Sequence, residues 1–315
     1  LERQGYPFIK GAALFSLDYM VEDPKTGWLV TFPDWSPENR FFREEGKESH
    51  FTLSPTMSVA VIREVLTNFV TASEVLGVDE DLRAEAQAAL PKLPPFQINK
   101  HGGLQEWLQD FDEALPGHRH LSPLYPAYPG NQISPLTTPE LAEAVKTSIL
   151  RRLEYGEGSG YVGHSRSWMV NQFARLYEPD LAHEQLEVLI GKCALPNMFS
   201  THGMGHRTLD RQTHCIEGNM AYTAGVAEML VQSHLGFVHL LPSLPKEKWR
   251  RGFIKGIKAR GGYVVDVEWQ NGSLTRAAIH SKTTGTCPVR YGDKVVEVPV
   301  TAGESTVLDG ALKVK

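Results

Sequence analysis

The chain has 315 residues, is 41% hydrophobic and 22% charged, and carries a formal net charge of −5. That length and composition fit a globular protein with a large core and room for more than one domain. The mild negative charge gives no electrostatic reason to expect nucleic acid or an anionic membrane as partner, and no apolar run approaches the roughly 20 residues of a membrane span.

Cys193, Cys215 and Cys287 are widely spaced, form no CxxC pair, and read as buried or incidental thiols. The first residues, LERQGYPFIK, show neither an initiator Met nor the basic-then-apolar pattern of a signal peptide. They lead us to expect a chain that begins inside a larger protein, which leaves its localisation open.

Residues 5–22 place Phe8, Ala12, Phe15, Leu17, Tyr19 and Met20 on a broad helical face, ended by Pro24 and Gly27. A short apolar run, Trp28–Phe32, leads into Pro33-Asp34-Trp35-Ser36-Pro37-Glu38-Asn39, and residues 40–50 read as a charged, solvated loop. A strong helix is expected over 56–76, with Ser54 as N-cap and Pro55 at the first position, and Met57, Val61, Val65, Phe69 and Leu76 down one face. An Ala-rich helix follows at about 80–90 and stops at Pro91.

Residues 93–130 form a long connection dense in Pro, Gly, aromatics and mixed charge. Connections of this length inside a compact domain are functional or disordered, and the aromatic content argues against disorder. Helices are then expected from Pro139 to about Glu154 with Thr138 as cap, at about 165–177, at 180–192 and at 219–234, with a Gly- and His-rich loop over 197–218. Helices joined by long loops suggest an α/α arrangement with one functional loop face.

From Phe253 the period becomes two. Tyr263–Trp269 and Leu274–Ile279 flank Asn271-Gly272, the signature of a hairpin with a type I′ turn. The turn explains Asn271-Gly-Ser better than glycosylation does. Further strands are expected at Val289–Tyr291 and Val295–Val300. The domain reading is 1–240 helical and 241–315 a small antiparallel β domain.

Three stretches carry candidate chemistry. Glu38 sits in a Ser-Pro-Glu-Asn turn with Trp35 nearby; apolar walls would raise its pKa and suit it to donate a proton, whereas a solvated turn carboxylate is the plainer alternative. His118-Arg119-His120, in extended chain, would put both imidazoles on one side, able to hydrogen-bond sugar hydroxyls while the indole of the Gln105-Glu106-Trp107 step stacks on the sugar; a structural loop network is the alternative. The third stretch holds His202, His206, His214, Glu217 and Asn219. Glu217 ahead of a helix would be held charged by the helix N-terminus, as a base or a group polarising one, or as a cap. No HExxH motif is present, and no metal is expected. GxSxG and kinase signatures are absent.

In order, SPEN, SPTM, LPPFQINKHGGLQEW, HRHLSPLYPAYPG, ARLY, IEGN…TAGVAEMLVQSH, LLPSLP and KARGGYVVDVEW resemble glycoside hydrolase family 95, the inverting α-L-fucosidases, over nearly the whole chain. The resemblance implies the C-terminal part of the catalytic region: a mainly α fold, a partial (α/α)6 toroid incomplete at its N-terminus, followed by the β domain. It implies removal of terminal α-L-fucose, typically α-1,2-linked, from a fucosylated oligosaccharide or glycan, with inversion and without cofactor or metal. Glu38 matches the general acid; Arg119 and His120 match sugar-binding positions, with His118, His202, Trp35 and Asn219 in the same pocket.

Two departures accompany the match. Glu217 stands where the family has Asp, and His164 where it has Trp. A third expectation concerns the family's water-holding Asn motif, which finds no match here and would fall before Leu1. A non-catalytic carbohydrate-binding piece, and a relative acting on α-L-galactosides, therefore stay open. A partial toroid is also expected to expose apolar helix faces and to associate.

Overall fold

In the computed structural model, which describes residues 1–156, 162–202 and 213–315, helix α1 spans Gly5–Tyr19. It stops short of the expected 22 because Met20–Glu22 (β1) leaves the helix and pairs antiparallel with Leu29–Thr31 (β2). The connecting turn is closed by Thr26 Oγ1 donating to Asp23 Oδ2 at 2.6 Å and by Gly27 N–H donating to the Asp23 carbonyl at 2.8 Å. The expected apolar face of α1 is also corrected. Phe8 and Phe15 are 80% and 67% exposed, while Tyr6, Ala13 and Met20 pack against α2 (Thr56–Leu76) and α3 (Glu80–Ala89).

Between α1 and α2 the chain forms β3 (Asp34–Trp35), β4 (Phe41–Phe42), β5 (Glu48–Ser49) and β6 (Phe51–Thr52). β3 pairs with β6, and β4 lies between β5 and Asp112–Glu113 (β7). The β4–β7 ladder ties the first functional stretch to the long connection. Ser54 does not cap α2: Pro55 holds that position, and Ser54 Oγ instead accepts the Thr31 N–H at 2.8 Å. Helix α2 ends at Gly77 in the left-handed region (φ 66°), where the Gly77 and Val78 N–H groups donate back to Glu74 and Ser73. Glycine suits that closing geometry because it has no Cβ to clash. The face of α2 carrying Val59, Leu66 and Phe69 is buried, and Met57, Val61 and Val65 line an apolar groove of about 410 Å³ with α1. Helix α4 (Pro139–Tyr155) buries Ala142, Val145, Ile149 and Arg152. These elements belong to one compact unit, Leu1–Ser159. With Phe8, Phe15, Trp35 and Phe51 exposed on it, the purified chain is expected to self-associate; light scattering from a clean monomer would contradict this.

The second unit, Gly160–Lys315, holds α5 (Gly163–Arg175) and α6 (Pro179–Lys192). A short ladder follows, of Thr201–His202 (β8) with Thr213–His214 (β9). Helix α7 spans Ile216–Leu230, beginning and ending earlier than the expected 219–234. The strands β10 (Val231–Gln232), β11 (Val238–Leu240), β15 (Gly285–Tyr291) and β16 (Lys294–Val300) form one four-stranded sheet. β12 (Arg251–Ala259), β13 (Tyr263–Gln270), β14 (Ser273–Ser281) and β17 (Ser305–Asp309) form another. Side chains from both sheets, including Val238, Leu240, Val265, Val267, Ile279, Val289 and Leu308, share one core with Leu230 and Val231. Asn271 and Gly272 both have positive φ (52° and 68°), as a type I′ hairpin turn requires. Within residues 241–315 the strand pairs are antiparallel, as expected; the parallel pairing, of β15, is with β11, which precedes that range. All three cysteines are free and buried.

The described residues thus hold seven α-helices and several small sheets. No helix among them is long and apolar enough to cross a membrane.

Candidate functional site

Glu38 is about half exposed, and its surroundings differ from the apolar walls expected. Its Oε2 accepts a hydrogen bond from Arg119 Nη2, and His120 Nε2 lies 3.7 Å from the same oxygen. The structure therefore brings together the carboxylate of the first stretch and the cation and imidazole of the second, 81 residues apart in sequence. Trp35, three positions earlier, is exposed and lines the apolar groove with Phe15, Met57 and Val61.

The turn carrying Glu38 is anchored on both flanks. Ser36 and Asn39 are fully buried. Ser36 Oγ donates to Glu106 Oε1 at 2.7 Å, and Asn39 Nδ2 donates to Glu106 Oε2 at 3.2 Å. The Asn39 amide orientation is set by its Oδ1 accepting the Arg40 N–H at 2.9 Å. Ser122 Oγ donates to the Pro37 carbonyl, joining the turn to the segment just after His120.

Glu106, 5% exposed, forms a buried ion pair with Arg152, 4% exposed, at 2.8 Å. Burial pushes its carboxyl pKa up, and Arg152, Ser36 and Asn39 oppose that rise. Arg152 also donates to Glu113 Oε1 at 2.8 Å and to the carbonyls of Leu115 and Pro116 at 3.2 and 3.1 Å. Our sequence reading gave Glu106 and Arg152 no role. The signal was present: Arg152 continues the buried stripe Ala142, Val145, Ile149 at helical spacing, a position where a lone charge requires a partner.

The rings of His118 and His120 stack at 5.3 Å, on one side of the loop segment as expected. His118 is buried, and its Nδ1 accepts the His120 N–H at 3.1 Å, which puts any neutral-ring proton on Nε2. Burial, then the neighbouring Arg152, lowers its pKa to about 3. His234 and His239 are likewise lowered by burial, to about 3 and about 4. The unfolded chain protonates these rings near their ordinary value of 6.5, while the folded protein does not. The stability they allow is thus full above pH 6.5 and is lost as pH falls toward their folded values. Denaturation at pH 7 and pH 5 is expected to show lower stability at pH 5, with His118→Gln removing one proton's worth of the slope. An equal slope in the variant would refute the assignment.

Trp107 is buried against Phe41 at 5.1 Å between ring centroids and near Phe111, so its indole belongs to the core and not to a sugar platform.

In the other unit, Glu217 lies inside the first turn of α7 and is exposed. Its pKa is lowered, first by a hydrogen bond from its own backbone N–H and next by the Cys215 thiol at 3.3 Å. His164 and His202 add smaller electrostatic effects of the same sign. The charged form is thus favoured, as the helix N-terminus predicts. The Asn219 amide is engaged locally: its Oδ1 accepts the Ser200 N–H at 2.9 Å, and its Nδ2 donates to the Met198 carbonyl at 2.8 Å. His202 is exposed on β8, and His214 stacks on Phe199 at 4.5 Å. His206 lies outside the described residues.

Ser200 fills the space between the α5 and α7 N-termini. A Cβ added at Gly218 would meet Ser200 Oγ at 2.2 Å and Ser200 Cβ at 2.7 Å. Gly218→Ala is expected to destabilise the protein by about 1–3 kcal/mol through overpacking, read as a lower denaturation midpoint; an unchanged midpoint would show that Ser200 moves freely.

Residues 1–230 match the model of the glycosyl hydrolase family 95 catalytic domain, and residues 232–311 match that of the family's C-terminal domain. The chain belongs to glycoside hydrolase family 95. It is 36% identical over 294 residues to "Alpha-L-fucosidase 2" of Arabidopsis thaliana, covering 90% of this chain and 33% of the relative. It is 28% identical to "Probable alpha-fucosidase A" of Aspergillus niger, covering 86% of this chain and 35% of the relative. The same description from Aspergillus oryzae matches at 28% identity, covering 85% of this chain and 38% of that relative. The chain thus spans somewhat over a third, at most, of the length of these relatives. In fold it is similar to a solved structure, "Putative kojibiose phosphorylase from human microbiome", with a TM-score of 0.54 and 10% identity, covering 98% of this chain and 46% of that one.

Proposed function

We propose that this family 95 chain carries part of the active site of an inverting α-L-fucosidase, which removes terminal α-linked L-fucose, chiefly α-1,2-linked, from fucosylated glycans. The observation that carries this reading is the half-exposed Glu38 carboxylate, held by a buried-flank turn against Arg119 and beside His120. A half-exposed carboxyl group on a fixed turn can reach a glycosidic oxygen, and the guanidinium and imidazole beside it can bind sugar hydroxyls. Glu38 is the proposed general acid. Arg119, His120 and His118 are the proposed sugar-binding groups, with Trp35, His202 and Asn219 as further contacts. Glu217, kept charged by the α7 N-terminus, is proposed to polarise the base that activates water. In this reading the helices of residues 1–240 belong to an (α/α)6 toroid, and residues 241–315, joined by β10 and β11, to the C-terminal β domain.

The test is incubation of the purified protein with 2′-fucosyllactose, followed by ¹H NMR of the first-formed sugar. Release of β-L-fucose supports both the substrate and inversion. First-formed α-L-fucose refutes inversion, and absence of fucose release from folded protein refutes the hydrolase reading for this chain.

A further inference from the structure

Two segments supply the proposed acid and its cationic neighbour, and one buried ion pair touches both. The Glu106 carboxylate accepts from Ser36 and from Asn39, the residues on either side of the Pro37-Glu38 step. Its partner Arg152 donates to the carbonyls of Leu115 and Pro116, just ahead of His118-Arg119-His120. The Glu106 backbone adds a third tie: its carbonyl accepts the Thr56 N–H at 3.0 Å, at the start of α2.

We infer that Glu106 is a positioning residue, and that the Glu106–Arg152 pair sets the spacing between the Glu38 carboxylate and the Arg119 guanidinium. This rests on the proposed role of Glu38. Neither Glu106 nor Arg152 is placed among the groups that touch the sugar. Both act through the backbone and polar side chains on either side of Glu38 and ahead of Arg119. The two flanks offer Glu106 two side-chain donors, Ser36 Oγ and Asn39 Nδ2, and Arg152 Nη2 supplies a third, so the Glu106 carboxylate accepts from both sides of the turn while paired with Arg152. Buried charge-assisted bonds have short, directional geometry, so they transmit position well. Preorganised sites lose rate steeply with displacement, by about 10²-fold for about 1 Å.

The experiment compares Glu106→Gln and Ser36→Ala with the wild type in three readouts. Crystal structures of both variants are expected to show the Glu38 carboxylate out of hydrogen-bond reach of Arg119; a carboxylate still seated on Arg119 in both overturns the inference, whatever the activity. On 2′-fucosyllactose, Glu106→Gln is expected to lower kcat by about 10²-fold with KM within twofold, and Ser36→Ala, which removes a single donor and spares the ion pair, to lower kcat by less. A loss confined to KM overturns it. Finally, Glu106→Gln is introduced into the Glu38→Gln background and assayed on an aryl α-L-fucoside with a good leaving group. A residue acting through Glu38 has little left to lose there, whereas a merely structural residue costs the same factor in both backgrounds. If the wild type releases no fucose, the proposed function fails, while the crystal structures still decide the positioning.

Discussion

Glu38→Gln is expected to lower the rate of fucose release from 2′-fucosyllactose by about 10²–10⁴-fold, the range that a positioned general acid contributes. The amide keeps the size and the Arg119 contact of the carboxylate but carries no proton to give. The loss depends on the leaving group. A sugar alkoxide cannot depart without protonation, whereas a nitrophenolate can, so the same variant should lose far less on 4-nitrophenyl α-L-fucoside. Equal losses on the two substrates would mean that Glu38 binds or orients and does not donate the proton. An unchanged rate on the disaccharide linkage would remove Glu38 from the mechanism, and Arg119 and His120 would then lack the partner that gives their placement meaning.

The second large effect is on stability. Arg152→Leu is expected to destabilise the protein by about 3–5 kcal/mol, because it strands the Glu106 charge in the interior. In a unit of this size that lowers Tm by about 10 °C. Arg152 also satisfies Glu113 and two loop carbonyls, so the double replacement Glu106→Leu with Arg152→Leu should recover only part of the loss. Thermal unfolding of the two variants beside the wild type checks this. A single variant as stable as wild type would show that water or another group takes over the ion pair's bonds.

How much of this was legible in sequence depended on the range of the interaction. The hairpin at Asn271-Gly272 was readable because a type I′ turn is decided by two adjacent residues that tolerate positive φ. The α2 and α4 helices were readable from their period. The α1 face was misassigned because Phe8 and Phe15 fit a helical stripe as well as Tyr6 and Ala13 do, and only α2 and α3 choose between the two. Trp107 suggested a sugar platform in isolation, yet Phe41, held beside it through the β4–β7 ladder, makes it core. Glu38 pointed to apolar walls because Trp35 and the apolar run Trp28–Phe32 precede it, whereas charged and polar groups of the His-Arg-His segment lie against its carboxylate.

By itself, then, the sequence determined the order and type of most elements, the hairpin turn, the family, and which residues are candidates for acid and sugar contacts. These follow from local periodicity, turn chemistry and motif order. Only the tertiary structure decided which polar groups are buried together. The bonds from Ser36, Asn39 and Arg152 to Glu106 span 70, 67 and 46 residues. No local pattern encodes pairings of that span, because a buried charge is tolerated only where distant segments deliver its partners, and that delivery is a property of packing.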